Sequence, residues 1–173
     1  INTFTSSGTL TFNALDATLS GKITGANALT LNANGGSLTL SGANEHSGTT
    51  ISAGTVKVGI DSAGTVAAIT SGALGKTTAT VASGATLDLN GKTVLNALTI
   101  SGSGLGSNGA LINSSTTAAS ASGTLTLGVA STIGGTGNFT IGGAISGAFG
   151  LTKAGTNTIT LSGASNGSTT TTI

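Results

Sequence analysis

Cysteine, proline, methionine, tryptophan and tyrosine are absent from the 173-residue sequence, and four phenylalanines supply its only aromatic rings. Without cysteine, neither a disulfide framework nor a cysteine zinc site can form. Without more aromatic rings, the core must be built from small aliphatic side chains. The missing cysteine fits a cytosolic or simply cysteine-poor protein. It fits equally a bacterial exported protein that crosses a pore unfolded, so both explanations stay open.

Charge is also scarce, with five basic residues, four acidic residues and a formal net charge of +1. This balance is too weak for a nucleic-acid-binding surface or for attraction to anionic lipid. No apolar run approaches the roughly 18 residues that a membrane span requires, so no membrane insertion is expected. We interpret the chain, which opens on Ile1 without signal-peptide features, as a piece of a longer precursor.

Thirty glycines separate short segments in which aliphatic and small polar residues alternate. Examples are Leu38-Thr39-Leu40, Val56-Lys57-Val58 and Leu125-Thr126-Leu127. In a strand, this period of two sends the aliphatic residues to one face and the polar residues to the other. No segment shows the spacing of an amphipathic helix. The sequence therefore predicts an all-β fold with little or no helix.

The chain repeats itself over a long distance. Residues 37–43 (Ser-Leu-Thr-Leu-Ser-Gly-Ala) return as residues 158–164 (Thr-Ile-Thr-Leu-Ser-Gly-Ala), 121 residues later (158 − 37). Such self-similarity indicates a stack of equivalent units. We expect residues 1–173 to form a single β-solenoid segment of a longer repeat protein, with motif copies near residues 36–58 and 150–173. Further coils are expected to follow in the parent protein.

Three all-β layouts compete. An antiparallel sandwich would use hairpin turns, with which Asn90-Gly91, Asn108-Gly109 and Asn166-Gly167 are compatible, but it should show larger core residues. An up-and-down barrel leaves the long-range repeat unexplained. A parallel β-solenoid explains it, because each coil stacks on the previous one. Coils of roughly 20 to 25 residues would give about eight coils in this length.

Two consecutive motifs carry a family resemblance. Residues 36–44 (Gly-Ser-Leu-Thr-Leu-Ser-Gly-Ala-Asn) and residues 47–56 (Ser-Gly-Thr-Thr-Ile-Ser-Ala-Gly-Thr-Val) resemble the passenger-associated transport repeat, also called the autotransporter-associated β-strand repeat. Residues 151–164 resemble the start of a second copy. The chain is similar to the passenger region of bacterial autotransporters and related surface adhesins. This resemblance implies a right-handed parallel β-helix that is secreted by a type V route.

The sequence departs from the family pattern in two respects. His46 stands where an aromatic residue is common, and Asn166-Gly167 replace that residue in the second copy. The longer amphipathic strands of a translocator barrel are also not found in this chain. We therefore expect attachment to the outer membrane through a region outside it.

The resemblance implies a structural or adhesive rod of a secreted bacterial cell-surface protein, located outside the cell and acting in adhesion or in a filament or extracellular matrix. The expected partners are neighbouring β-helix coils or subunits stacked end to end, together with glycans or proteins of the host or surface. No nucleic-acid partner and no cofactor are expected.

Five residues are candidates for catalytic or metal chemistry: Asp16, Glu45, His46, Asp61 and Asp88. Asp88 is expected as a solvated charge on an outward strand face, and Asp16 and Asp61 in breaks between strands, where Asp favours turns. Glu45 and His46 are adjacent in sequence, which in a strand points them apart, so we expect a loop bulge there. Since glycan-cleaving sites need clustered carboxylates, we predict no enzyme activity and no catalytic, cofactor-binding or metal residues.

Two alternatives stay open on the same fold. One is a glycan-binding or polysaccharide-cleaving module. The other, less favoured, is an ice-binding solenoid using threonine pairs such as Thr9-Leu-Thr11, Thr124-Leu-Thr126 and Thr158-Ile-Thr160, whose irregular spacing argues against it. Glycosylation sequons begin at Asn113, Asn138 and Asn166, and we expect them to be unmodified.

Overall fold

The computed structural model describes residues 2–3, 8–11, 16–163 and 171–172, and the side chains of residues 16–163. Within them it contains β-strands and one 3₁₀ turn, Leu105–Ser107, and no helix there is long and apolar enough to cross a membrane. In chain order the strands are β1 Asn2–Thr3, β2 Gly8–Thr11, β3 Asp16–Leu19, β4 Ile23–Thr24, β5 Leu29–Leu40, β6 Thr49–Val58, β7 Ala63–Thr65, β8 Ala68–Ser71, β9 Ala79–Val81, β10 Thr86–Asp88, β11 Thr93–Val94, β12 Leu98–Gly102, β13 Leu111–Asn113, β14 Ala119–Ala121, β15 Leu125–Gly135, β16 Phe139–Ile141, β17 Ile145–Ser146, β18 Leu151–Lys153, β19 Ile159–Leu161 and β20 Thr171–Thr172.

Strands one turn apart pair in parallel and build three faces. The first face runs through β2, the N-terminal halves of β5 and β6, then β9, β12, the N-terminal half of β15 and β17. The second runs through β3, the C-terminal halves of β5 and β6, then β10, β13, the C-terminal half of β15, β18 and β20. The third contains β1 with β4, and β11, β14, β16 and β19. The predicted β-solenoid is confirmed.

The solenoid has about seven turns, against about eight predicted. Most turns take about 20 residues, but two are longer than the predicted 20 to 25. Thr49 pairs with Ala79, a turn of 30 residues (79 − 49). Leu98 pairs with Leu125, a turn of 27 residues (125 − 98). Because these excursions consume chain without adding a layer, fewer turns fit.

Aliphatic columns fill the interior, as the alternating pattern predicts. On the first face, Leu31, Ile51, Val81, Ile100 and Leu127 are stacked in register and are at most 1% exposed. A similar column on the second face consists of Leu38, Val56, Leu87, Leu111 and Ile133. Stacked branched side chains exclude water along the whole axis, and this burial is the main stabilising contribution to the fold.

The outside of the first face carries a threonine ladder: Thr30, Thr50, Thr80, Thr99 and Thr126 occupy successive turns in register. Neighbouring strands lie about 4.8 Å apart, so charged side chains of one sign at these positions would repel one another. Hydroxyl groups avoid that cost, which explains the scarcity of charge in the sequence.

One antiparallel hairpin interrupts the parallel stack and was not predicted. β7 pairs with β8 alone, with Ala63 opposite Ser71 and Thr65 opposite Ala68. The Asn-Gly pair at Asn90-Gly91 instead forms a corner turn between β10 and β11, which belong to different faces. Both of its residues have positive φ, 49° and 73°. This pair turns the chain without pairing its flanking strands.

The two copies of the long-range repeat lie on different faces. Leu38 to Leu40 is part of the second face, whereas the equivalent Ile159–Leu161 is on the third. The sequence match extends upstream, where Thr18-Leu19 corresponds to Thr140-Ile141. Thr18 lies on the second face and Thr140 on the third, so they show the same displacement. Because the turns between the copies differ in length, the repeat distance is not a whole number of turns. Residues 164–170 and 173 of the second copy lie outside the described residues.

Candidate functional site

Glu45 and His46 point in opposite directions from the turn between β5 and β6. The Glu45 carboxylate extends outward and accepts a hydrogen bond from the Lys22 ammonium at 2.6 Å, an ion pair with both side chains partly exposed. This contact lowers the pKa of Glu45. His46 is only 1% exposed. The two side chains therefore share no site, and His46 is an internal residue rather than part of a surface bulge.

The His46 imidazole fits against a neighbouring turn. Its Nε2 lies 2.9 Å from the Thr49 hydroxyl, which donates its proton to the Leu74 carbonyl at 3.0 Å. Gly75 lies against the ring with φ +79°, and a Cβ there would be only 2.6 Å from the His46 carbonyl oxygen. Glycine at position 75 thus allows the next turn to close over the imidazole.

Burial lowers the pKa of His46 to about 4. Nδ1 is buried and makes no hydrogen bond within the described part of the chain. A second ring proton would therefore lie in a buried position without an acceptor among the described residues. The imidazole is neutral at ordinary pH and acts as a core side chain.

Asp88 is buried, so the prediction of a solvated charge is wrong. It is 1% exposed although it points outward from β10. Its Oδ1 accepts from the backbone N–H groups of Asn90 at 2.9 Å and Ser114 at 3.0 Å, and its Oδ2 accepts from the Ser114 hydroxyl at 2.5 Å. Three donors replace the water that the carboxylate loses, which makes the buried charge tolerable.

The other two acids stand apart from each other. Asp16 begins β3 rather than lying between strands, and its carboxylate accepts a hydrogen bond from the Ser37 hydroxyl. Asp61 lies in the turn before the hairpin and accepts from the Thr93 N–H at 2.6 Å. Among the described side chains, no three of His, Cys, Asp or Glu are placed so that they could share a metal ion.

A groove runs along the outside of the second face. One part, about 550 Å³, is lined by Asp16, Ser37, Lys57, Asp88 and Leu105 among others. A further part, about 360 Å³, extends past Asn108 and Thr136 to Ala154. Both parts include Ile112 and Ser114, so they form one continuous depression that we call the second-face groove.

A short loop containing the 3₁₀ turn walls this groove. The Leu105 N–H donates to the Thr86 hydroxyl at 2.9 Å, and that hydroxyl donates to the Gly109 carbonyl at 2.9 Å. Gly104, at φ +75°, has no room for a side chain because a Cβ would overlap the Gly109 carbonyl. Both ends of the loop are thus fixed to β10. Leu105 itself is 38% exposed beside the groove.

Buried asparagines link successive turns, a role that was not predicted. Asn113 is fully buried and makes four hydrogen bonds. Its Oδ1 accepts from the N–H groups of Gly91 and Ser115, and its Nδ2 donates to the carbonyls of Thr117 and Asn138. Comparable internal positions are held by Asn44, Asn96 and Asn157. Asn113 is the last residue of β13, and Asn96 lies two residues after the end of β11.

The asparagines of the sequons differ in accessibility. Asn113 is buried, and both its Oδ1 and its Nδ2 make hydrogen bonds, so the folded chain does not expose this side chain for glycosylation. Asn138 is exposed, and its Oδ1 accepts from the Thr158 N–H at 2.8 Å. Asn166 lies outside the described residues.

The comparisons with known proteins bear on one part of the chain. A family model described as the passenger-associated-transport-repeat matches residues 33–58. The searches of curated proteins and of solved structures gave no significant match. The matched segment comprises the C-terminal part of β5, the turn that holds His46, and β6.

The parallel turns define the class of protein, a β-solenoid. Within it, residues 33–58 are similar to the passenger-associated transport repeat. The resemblance that the sequence showed at residues 36–58 is therefore confirmed.

Proposed function

We propose that the chain is a stalk segment in the passenger of an autotransporter-like bacterial protein, exported and displayed outside the cell, where it acts in adhesion or in an extracellular matrix. The observation that carries this proposal is the family match at residues 33–58. It falls on β5 and β6, two consecutive layers of the solenoid that pair along both the first and the second face. The transport repeat is thus built into the rod itself.

The stacking supports a mechanism for folding outside the cell. Each turn offers the next a strand edge and an aliphatic column, so a segment that has folded acts as a template for the one that follows. Leu38, Val56 and Leu87 show this succession on the second face. Folding outside the cell would bias transport outward, because a solenoid turn that has folded can no longer slide back through the export pore of the outer membrane.

End-to-end contact supplies the proposed partners. A solenoid segment ends in an unpaired strand edge and an open aliphatic column, which template association. We propose that the neighbouring coils of the parent protein or other subunits cover these ends. Glycans or proteins of a host or surface are the proposed external partners, and the attachment to the outer membrane would run through another region.

A passive rather than catalytic role is part of the proposal. The bonds that already occupy most of the carboxylates support it. Glu45 is paired with Lys22, Asp61 is bonded to the backbone, and Asp88 is enclosed by three donors. Cleavage of a glycan needs two carboxylates that face one bond.

Export from a Gram-negative host tests the proposal. The chain is fused behind a secretion signal and in front of a translocator barrel, and surface exposure is followed over time with external protease. We expect the native chain to reach the surface and the core variant Leu38→Asp to be exported several-fold more slowly. Thr39→Asp, on the outward side of the same strand, is the matched control and should be exported normally. Equal export of all three would contradict the proposed role of folding in transport.

A further inference from the structure

The second-face groove is a continuous, shallow depression that is open to solvent. It begins at Asp16 on β3 and crosses β5, β6, β10, β13 and β15 to reach Ala154, just after β18. Seven strands at about 4.8 Å spacing give a length of about 29 Å along the axis. Its larger part alone, about 550 Å³, has the volume of a typical small-ligand site. The shape suits an extended ligand that lies along the rod.

The groove holds charged groups of both signs. Lys57 is in register with Asp88, but its ammonium makes no ion pair or hydrogen bond with the described residues. The Asp88 carboxylate is occupied by donors from Asn90 and Ser114. The Asp16 carboxylate, at one end of the groove, is exposed and accepts only from Ser37 within the described part of the chain. Among the described residues, the groove thus offers an unpaired donor on β6 and an exposed acceptor on β3.

Apolar groups lie beside these polar ones. Leu105 contributes an exposed aliphatic side chain from the wall, and Ile112, which is half-buried, contributes an apolar surface where the two parts of the groove meet. A ligand that fills the groove therefore needs polar groups for Asp16 and Lys57 and apolar surface for Leu105 and Ile112.

We propose that the second-face groove binds a neutral, linear polysaccharide. Sugar hydroxyls both donate and accept, so one chain can satisfy Asp16 and Lys57 together, while its C–H faces pack on Leu105 and Ile112. A polyanion would contact the exposed Asp16 carboxylate and lie over the buried charge of Asp88, with a single ammonium to offset them, and like-charge proximity costs affinity. This ligand class deepens the proposed adhesive role and rests on display outside the cell.

A peptide is disfavoured by the way the groove is built. Extended peptides bind sheets by adding a strand to a free edge. The floor of the groove is the face of a parallel sheet, whose strands β6, β10 and β13 already pair on both sides. No backbone ladder is available there, so recognition must use side chains.

Nuclear magnetic resonance titration of the whole 173-residue chain tests the proposal. The probes are linear hexasaccharides of β-linked glucose, of β-linked mannose and of α-linked glucose, a branched galactose-terminated oligosaccharide of the animal cell-surface type, a polyuronate hexamer and a lysine-rich decapeptide. We expect at least one neutral linear hexasaccharide to give saturable shifts at Ile112, Ser114 and Leu105 at concentrations up to about 10 mM, without shifts on the threonine ladder. Preference for the branched probe would place the ligand on host cells and overturn the linear assignment.

Substitution identifies the groups that bind. Lys57→Met removes the free donor and keeps the aliphatic stem, and we expect affinity to fall about tenfold. Lys76→Met is the matched control on an exposed turn away from the groove and should bind like the native chain. Leu105→Asn removes an apolar contact on the loop and should also weaken binding, so it serves as the test variant if Lys57→Met unfolds. Thermal melting shows whether each of the three variants is folded.

The proposal is overturned if no neutral hexasaccharide shifts the groove resonances, or if the polyuronate or the peptide binds there more tightly. Surface export is measured separately and does not depend on Lys57. A groove that binds nothing on a chain that is exported would reject the ligand and leave the stalk function standing. Binding without export would do the reverse.

Discussion

The imidazole Nε2 of His46 lies 2.9 Å from the hydroxyl of Thr49. Since the Thr49 hydroxyl gives its only proton to the Leu74 carbonyl, it can interact with His46 only as an acceptor. The neutral ring therefore carries its proton on Nε2, and Nδ1 keeps a buried, unpartnered lone pair. This arrangement makes the turn between β5 and β6 sensitive to acid.

Acid should destabilise the chain between about pH 6.5 and pH 4. The unfolded His46 binds its proton near its ordinary pKa of 6.5, whereas the folded residue does so at about 4. In that window the unfolded state holds more protons, so the free energy of unfolding falls as the pH is lowered and levels off below the folded pKa. Chemical denaturation at a series of pH values measures this loss.

His46→Phe isolates that effect. Phenylalanine restores an uncharged aromatic ring in the same pocket and leaves the Glu45–Lys22 ion pair in place. We expect its free energy of unfolding to change less than that of the native chain between pH 6.5 and 4. Identical pH profiles for the two chains would show that His46 is not the acid-sensitive group.

Asp88 should contribute far more stability than its position on an outward strand face suggests. Asp88→Ala leaves the Asn90 N–H, the Ser114 N–H and the Ser114 hydroxyl without their acceptor, and we expect a loss of about 3 kcal/mol. Asp61→Ala, which removes a single exposed acceptor for Thr93, is the control at about 1 kcal/mol. Urea denaturation measures both, and equal losses would show that Asp88 is solvated after all.

Truncation should cost much more stability at inward positions than at outward positions. Leu87 is fully buried between Val56 and Leu111, so Leu87→Ala creates a cavity and should cost about 2 to 5 kcal/mol. Thr80→Ala, on the threonine ladder, should change the free energy of unfolding by no more than about 0.5 kcal/mol. A large effect at Thr80 would mean that the hydroxyl ladder, rather than the aliphatic column, holds the turns together.

The β7–β8 hairpin should be dispensable. It pairs only with itself, and its turn residue Val66 is 52% exposed. Replacing residues 64–70 with Asn-Gly joins Ala63 to Ser71 by a two-residue turn. The free energy of unfolding, measured by urea denaturation, should stay within about 1 kcal/mol of the native value. Deleting Leu105–Ser107 is the contrasting control, because that turn is bonded to Thr86 and its loss should destabilise the chain. A severe loss from the hairpin replacement would show that it packs on the stack.

The alternation of residues predicted the interior because side-chain direction in a strand depends only on position parity. Leu38, Leu40 and Val56 were assigned inward on that basis, and all three are buried. The same rule misassigned Asp88, since parity gives the direction of a side chain but not what covers it. Its cover comes from Ser114, 26 residues later in the chain.

Turn chemistry was a weaker guide. Asn90-Gly91 has the residues of a hairpin turn and forms a corner, whereas Thr65 to Ala68 closes the one hairpin of the described part without such a signal. Local sequence specifies the φ angles of a turn. Whether the two flanking strands then pair with each other depends on which face of the solenoid each strand joins. The face that a strand joins depends on the length of the whole solenoid turn.

Distances along the threonine ladder test the central claim, that successive turns stack in parallel register. Because the sequence has no cysteine, nitroxide labels can be attached to pairs of introduced cysteines without background. From Thr30, the ladder reaches Thr99 after three steps, Thr126 after four and Ser146 after five. Pulsed electron–electron double resonance should give distances between the labels that rise by about 4.8 Å per step, following backbone separations of about 14, 19 and 24 Å. Separations that do not rise in this order would contradict the stacked solenoid.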